Sequence, residues 1–435
     1  MQQVLTAKLK LQTDPGQHAA LRRTQLAYRD ALNAVSAYAF THGKMSNQEA
    51  LQRACYAEIR ATHGLPAQMA CNVPRQVGAT YKALWAKQNA NARARAEGRT
   101  KKRYKGLDKP PRYGSPTLTY NYRRDWSLKT QQRVSILTLE GRVVVPYSGY
   151  APHVSLLHQG ADVGAARLWY DKQGKTFYLL VSLHMSVPDP KPEQQGTVVG
   201  VDVGQRYLAV ATDMQNHTAF FSGKETRAHA DHYVRLRKRL QRKGTRSAKR
   251  RLRAMAGRER RLQRDRNHVI SKRIIQRYPK SLMGLEDLTH IRDRTTRKRG
   301  RCVSQTQRRA NRHASRWSFA ELQAMVAYKA VLTGSMATKV DAYQTSQACP
   351  RCGHTAEGNR PGKGLLFICE ACHMVLHADL VGARNLALRT LLARQDWART
   401  GVLSARPDVS REEAKAAQRL RYAELRWSPD TSPRL

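Results

Sequence analysis

Three acidic residues far apart in the chain, Asp202, Glu286 and Asp379, stand where buried elements begin or end. Asp202 closes VVGVD, a run so apolar that it reads as a strand buried on both faces. An ionised carboxylate there is costly unless a cation or donor meets it. Glu286 ends a second buried strand within SLMGLEDL, residues 281–288, and Asp379 starts the helix of ADLVGARNLALRTLLAR. Mg²⁺ favours a few carboxylates completed by waters and phosphate oxygens. Two such ions about 4 Å apart can activate a water and stabilise the leaving oxygen of a phosphodiester. Asp287 adjoins Glu286 but points to the other face of the strand, so only one of the pair can join the site. Spacing does not say which. Asp213, Asp293 and Asp341 are further candidates, though each reads better as a turn or solvated residue.

A strand followed by an Asp-x-Gly turn also opens actin-like ATPases and sugar kinases. Those folds need a second phosphate loop and a Gly-rich adenosine site, and the sequence offers neither.

A second constellation follows the acids. Cys349-x-x-Cys352 and Cys369-x-x-Cys372 are separated by sixteen residues, the spacing of a four-cysteine zinc ribbon. Four thiolates fill a tetrahedral shell, so the zinc is structural, and His354 and His373 stay outside it. Cys55, Cys71 and Cys302 read as ordinary small residues. Paired Cys-x-x-Cys motifs argue for metal in a reducing compartment, which predicts a cytoplasmic protein. No run approaches the roughly 18 apolar residues of a membrane span, and MQQVLTAKLKLQ lacks the pattern of a signal peptide.

Lys plus Arg number 78 against 32 Asp plus Glu, a formal net charge of +46. Self-repulsion at that level disfavours a compact chain unless a polyanion is the partner, and nucleic acid is the commonest one. The charge is densest from Val234 to Arg266, where 33 residues hold 16 Lys or Arg and two acids. A merely solvated helix face would intersperse acids, so this stretch is expected to meet a phosphate backbone. Around Tyr104, Tyr113, Tyr120, Tyr122 and Trp126, aromatics alternate with cations; they suit either base stacking or a β core.

The elements that must hold these groups follow from periodicity. Residues 1–12 alternate as a strand, and Leu21, Tyr28, Leu32, Val35 and Ala39 share one helical face. Helical patterning runs on to about Arg95, and residues 93–116 are basic, rich in Pro and Gly, and irregular. Strand pairs are expected around Glu140-Gly141 and Gln173-Gly174. A strand-rich module thus carries an inserted helical piece, and residues 187–196 form a linker. From Thr197 come three strands, a helix over 226–276, the Glu286 strand and an amphipathic helix ending at Gly334. The tail is polar, with a helix start at Ser410 and Glu413.

With these residues in place, the chain resembles TnpB, the transposon-encoded RNA-guided nuclease family related to type V CRISPR effectors. GVDVGQRYLAVATD is similar to its first RuvC motif, GLEDL to the second and ADLVGARNLA to the third. TSQACPRCG…CEAC is similar to its zinc-ribbon signature, and KPPRY to a basic segment ahead of the nuclease. The resemblance implies an α/β multidomain protein. A wedge-like β-barrel (1–15 and 100–190) would carry a helical recognition lobe (16–99). An RNase H-like RuvC domain (196–345 and 374–398) would follow, with the zinc ribbon (346–373) inserted and a polar tail (399–435) behind.

It further implies that Asp202, Glu286 and Asp379, and not Asp287, hold two Mg²⁺, with one structural Zn²⁺ on Cys349, Cys352, Cys369 and Cys372. Guide RNA and double-stranded target DNA would be the partners, cut beside a short motif. Arg235, Arg239, Arg242, Lys249, Arg250, Arg253, Arg384, Arg112 and Tyr113 would touch nucleic acid. His377 stands where many relatives have an acid, and Val381 where they have Asn; Arg384 and Asn385 fit the family pattern. These departures suit an outlying branch, such as a compact type V CRISPR effector. A guide-bound repressor that does not cut, or a transposase, are the other readings.

Overall fold

A computed structural model describes residues 1–115, 117–289, 304–316, 318–403 and 412–427. The chain forms two compact units, Gln2–Ser186 and Val187–Leu435, the second taking in Met1.

In the N-terminal unit, β1 (Gln2–Leu11) leads to α1 (Pro15–Thr41), α2 (Gln48–His63) and α3 (Ala67–Ala96). Asp14 and Gln17 close a capping box that starts α1, with Pro15 in the first turn. All five residues of the expected face, Leu21, Tyr28, Leu32, Val35 and Ala39, are buried. After an irregular stretch come β2 (Leu118–Tyr120), β3 (Trp126–Lys129), β4 (Arg133–Thr138), β5 (Gly141–Ser148), α4 (Ala151–His158), β6 (Asp162–Asp171) and β7 (Thr176–Ser186). Seven strands form one antiparallel sheet in the order β2-β6-β7-β1-β5-β4-β3. Both expected hairpins are present, and Gly141 supplies φ of 106° at the β4–β5 turn. Tyr120 and Trp126 are wholly buried, and the Tyr113 hydroxyl donates to Thr80 Oγ1 at 2.9 Å. Of the two roles open to these aromatics, Tyr120 and Trp126 fill the core one, and Tyr113 and Tyr122 pack against that core half-buried.

The C-terminal unit opens with β8 (Thr197–Asp202), β9 (Tyr207–Asp213) and β10 (Thr218–Ser222). The single helix expected over 226–276 is three: α5 (Lys224–Lys243), α6 (Arg246–Met255) and α7 (Arg258–Arg277). Gly244 and Gly257, at φ of 62° and 78°, break it, and Thr245 caps α6 by accepting the Ala248 N–H. Then come β11 (Ser281–Glu286), α8 (Gln305–Arg316), α9 (Phe319–Leu332), β12 (Met336–Val340), β13 (Leu366–Ile368), β14 (Val375–His377), α10 (Ala378–Thr400) and α11 (Glu412–Glu424). The main sheet runs β10-β9-β8-β11-β12, with β8, β11 and β12 parallel. On one face Val199, Val201, Met283 and Leu285 pack with Ile274 and Val326. On the other, Val198 and Leu282 pack with Ala387, Leu388 and Leu392 of α10. Cover on both faces explains the unbroken apolar runs.

Candidate active site and four-cysteine centre

β8 and β11 are parallel neighbours with Gly200 opposite Gly284 and Val201 opposite Leu285, which brings Asp202 beside Glu286. The two-residue period of a strand puts Gly200, Asp202, Gly284 and Glu286 on the face that α10 covers. The glycines are what let the helix in. A Cβ at Gly200 would overlap the Ala383 carbonyl oxygen, and one at Gly284 would overlap Thr390 Oγ1. With the helix backbone on the sheet, its first turn reaches the strand ends. Gly382 lies against the Asp202 carboxylate, so that an added Cβ would sit 3.2 Å from Asp202 Cγ. Asp379 is one turn earlier on the same side of α10.

The charges register this convergence. Burial, then Glu286, then Asp379 push the Asp202 carboxyl well above the usual carboxylate range, against Arg360 and the Val203 N–H. Burial also raises Asp379, opposed by His377, Arg360 and Arg206. The Asp287 carboxylate accepts the Thr289 hydroxyl at 2.6 Å. Asp213 accepts the Gln215 and His217 N–H groups in a turn, and Asp341 accepts that of Tyr343. Asp293 and Cys302 lie outside the described residues.

The start of α10 is set by the β13–β14 hairpin that runs straight into it. His377 is its N-cap: Nδ1 accepts the Asp379 N–H at 3.2 Å, and the ring stands edge-on to Tyr207 and Phe220, with centroids 5.1 and 5.2 Å away. An acid at this position could accept the same hydrogen bond, so the departure at His377 keeps the cap.

The same hairpin belongs to the cysteine centre. The four Sγ atoms lie within 4.8 Å of one another, with Cys349 to Cys372 at 3.6 Å and Cys352 to Cys369 at 3.5 Å. Thiolates about 2.3 Å from a tetrahedral zinc would be about 3.8 Å apart, so the set fits that ion. Gly353 and His373 follow the two knuckles at φ of 78° and 56°. Cys349, Cys369 and Phe367 pack on Ala378 and Val381, tying the centre to the first turn of α10. His354 lies 3.7 Å from Glu370 and His373 is exposed, so neither joins the thiolates. Among the described residues this is the one group of three or more candidate ligands so tightly gathered; the acids stand wider.

Arg360 was missed in the sequence. It sits between the knuckles, donates to the Gly364 carbonyl at 3.0 Å, buries an unpartnered Nε, and opposes the charge of both Asp202 and Asp379. Nothing in EGNRPGKG marks it.

Arg235, Arg239, Arg242, Lys249, Arg250 and Arg253 are exposed on α5 and α6, whose apolar sides meet through Leu240, Ala248 and Met255. Arg112 is exposed and Tyr113 half-buried. Arg384 is held within the fold: it donates to Asn216 Oδ1 at 3.0 Å and lies 5.2 Å over the Trp427 ring. Asn385 donates to the carbonyls of Thr345 and Ala348, and Arg389 to those of Asp341 and Tyr343, so α10 clasps the turn that leads from β12 to the cysteines. The tail is more than polar chain. Leu425 and Trp427 are buried, and Trp427 donates from its backbone to Pro350 and from Nε1 to Asn216.

Residues 182–292 match the OrfB_IS605 family, described as a probable transposase, and residues 319–386 match the Cas12f1-like TNB domain. The chain is 34% identical over 125 residues to the CRISPR-associated endodeoxyribonuclease Cas12f1 of Sulfoacidibacillus thermotolerans, covering 28% of this chain and 26% of that one. It is 34% identical over 134 residues to the TnpB-like protein MJ0751 of Methanocaldococcus jannaschii, covering 30% and 44%. These matches thus span from about a quarter to under half of the relatives' own length. In fold, a Cas12f1–sgRNA–target DNA complex aligns at a TM-score of 0.52 and 13% identity, over 85% of this chain and 81% of that one. The chain is therefore an α/β protein similar to the TnpB-like and Cas12f1 proteins.

Proposed function

We propose that the chain is an RNA-guided DNA endonuclease that hydrolyses phosphodiesters with two Mg²⁺ held by Asp202, Glu286 and Asp379. The observation that carries this reading is the meeting of three acids from β8, β11 and α10, with Asp202 pushed up by burial and by both partners. Such a set fits divalent cations, which would relieve the repulsion. Bound there, the ions supply an activated water and neutralise charge at the scissile phosphate. The chain's own groups do the rest. Gly200 and Gly284 admit α10, His377 holds the Asp379 backbone, and Arg360 balances the acids from the cysteine side.

In this reading the five-stranded sheet is an RNase H-like RuvC domain, and Cys349, Cys352, Cys369 and Cys372 hold one structural Zn²⁺. The seven-stranded sheet is the wedge-like barrel, and residues 16–99 are its recognition lobe. The exposed cations of α5 and α6, with Arg112, grip guide RNA and target DNA by their backbones, while base pairing chooses the sequence. Such a protein works in the cytoplasm; no helix among the described residues is long and apolar enough to cross a membrane.

The test is to express the chain with its native flanking DNA and sequence the RNA that copurifies. One discrete RNA with a constant scaffold and an end matching the flank supports the guided reading. A smear of cellular RNA sinks it. The Cas12f1-like TNB match favours a second reading, a compact type V CRISPR effector; repeat-derived sequence in that RNA would select it.

A further inference from the structure

Tyr120 and Trp126 are core residues, but two other aromatics lie on the outer face of the seven-stranded sheet. Strand register sets the site. On β6, β7 and β1, Trp169 pairs with Tyr178, which pairs with Lys10; the next outward row is Arg167, Leu180 and Lys8. Trp169 and Tyr178 are half-buried, while Lys8, Lys10 and Arg167 are exposed. The two rings stack with centroids 5.3 Å apart and planes 30° apart, and Lys8 Nζ lies 4.0 Å from the Tyr178 centroid and 4.9 Å from that of Trp169. The acids of this face stand at its ends. Asp162 pairs through β7 with His184, and Asp171 accepts the Gln173 N–H in the hairpin turn.

We propose that this face binds single-stranded RNA, with an unpaired base stacked on Trp169 and Tyr178 and its phosphates on Lys8, Lys10 and Arg167. An exposed cation over a ring is worth a factor of about 2 to 5, and base stacking about 5 to 150. A base therefore displaces the Lys8 ammonium from the rings, and the released ammonium meets the phosphate. Thr6 and Ser182, paired across β1 and β7 one row further on, offer hydroxyls to a ribose 2′-OH. An acidic peptide would use the cations but has no use for the stacked rings. The site rests on this sheet alone and stands or falls apart from the cleavage reading.

The test uses the full chain and a labelled, single-stranded oligouridine of roughly 12 nucleotides, a length within the site sizes of stacking platforms. Affinity is read by fluorescence anisotropy across about 50–200 mM salt. Joint replacement, Trp169→Ala with Tyr178→Ala, is expected to weaken binding about tenfold or more with the salt slope unchanged, because stacking releases no counterions. Trp169→Phe with Tyr178→Phe should restore most of it, and Lys8→Gln should lower the slope. Unchanged affinity in the double alanine variant, or a loss that appears only as an altered slope, would overturn the proposal. So would equal binding of oligothymidine, or displacement of the RNA by polyglutamate. Against misfolding, the unmodified protein is irradiated with RNA bearing 5-iodouracil: crosslinks at Trp169 or Tyr178 support the site, and crosslinks confined to α5–α7 refute it.

Discussion

The two sheets cover an apolar face in opposite ways. The seven-stranded sheet fills the space under its helices with large groups: Tyr28, Tyr120, Trp126 and Phe177 are wholly buried. The five-stranded sheet empties it. Gly200 and Gly284, neighbours across β8 and β11, leave so little bulk that the backbone of α10 rests on the strands. Bulk yields stability through buried area. Close backbone approach yields position, because the first turn of α10 can then lie in only one place relative to the ends of β8 and β11. Asp379 meets Asp202 and Glu286 for that reason. The same sheet motif, a glycine two residues before an acid, occurs in both strands.

Removing the four-cysteine centre should break the positional half most completely. Cys369→Ser is expected to lose bound zinc, read by elemental analysis, and to abolish cleavage, because the hairpin carrying Cys369 leads into α10. Next, Trp126→Ala should cost about 3–5 kcal/mol in denaturant unfolding of its own unit, while the metal-dependent activity of the folded fraction persists. Gly200→Ala should do the reverse. Overpacking costs about 1–3 kcal/mol, yet misplacement of Asp379 should slow cleavage about 100-fold. If Gly200→Ala cut normally, the positional argument would fail.

The last effect touches neither sheet's packing and concerns a buried charge, with Lys272 adding to the effect of burial. Lys329 donates to the His268 carbonyl and Ser271 Oγ at 2.7 Å each, and burial lowers it from 10.5 to about 8. The folded state then loses this proton before the unfolded state does, so the unfolded chain binds more protons between those values. Stability of the parent relative to Lys329→Met should therefore rise with pH from about 8 towards 10.5, by at most about 1.4 kcal/mol per pH unit. Paired thermal melts would show it. A flat difference would mean that the buried amine carries no charge penalty.

Much of this was legible beforehand, and the reasons are local. Asp202 and Glu286 end apolar runs, which fixes them at strand termini whatever the tertiary structure does. The face of α1 and the two hairpins follow from periodicity and turn glycines. Arg360 was not legible, because its role arises from a loop folding back towards acids more than 150 residues away or just downstream. The sequence left the aromatics around Tyr120 and Trp126 between two roles because alternation within one strand does not say which face meets helices: Tyr120 and Trp126 point in, Trp169 and Tyr178 out. Leu425 and Trp427 were hidden by the polar chain ahead of them. The breaks at Gly244 and Gly257 could have been read from the glycines, but the dense charge on either side masked them.

The most direct measurement is Mg²⁺-dependent cleavage of matched DNA by the guide-loaded protein and four single variants. Asp202→Asn, Glu286→Gln and Asp379→Asn are expected to retain RNA and lose cleavage, with Asp287→Asn cutting like the parent. Persistent cutting by Asp202→Asn, or loss in Asp287→Asn alone, would contradict the site assembled from β8, β11 and α10.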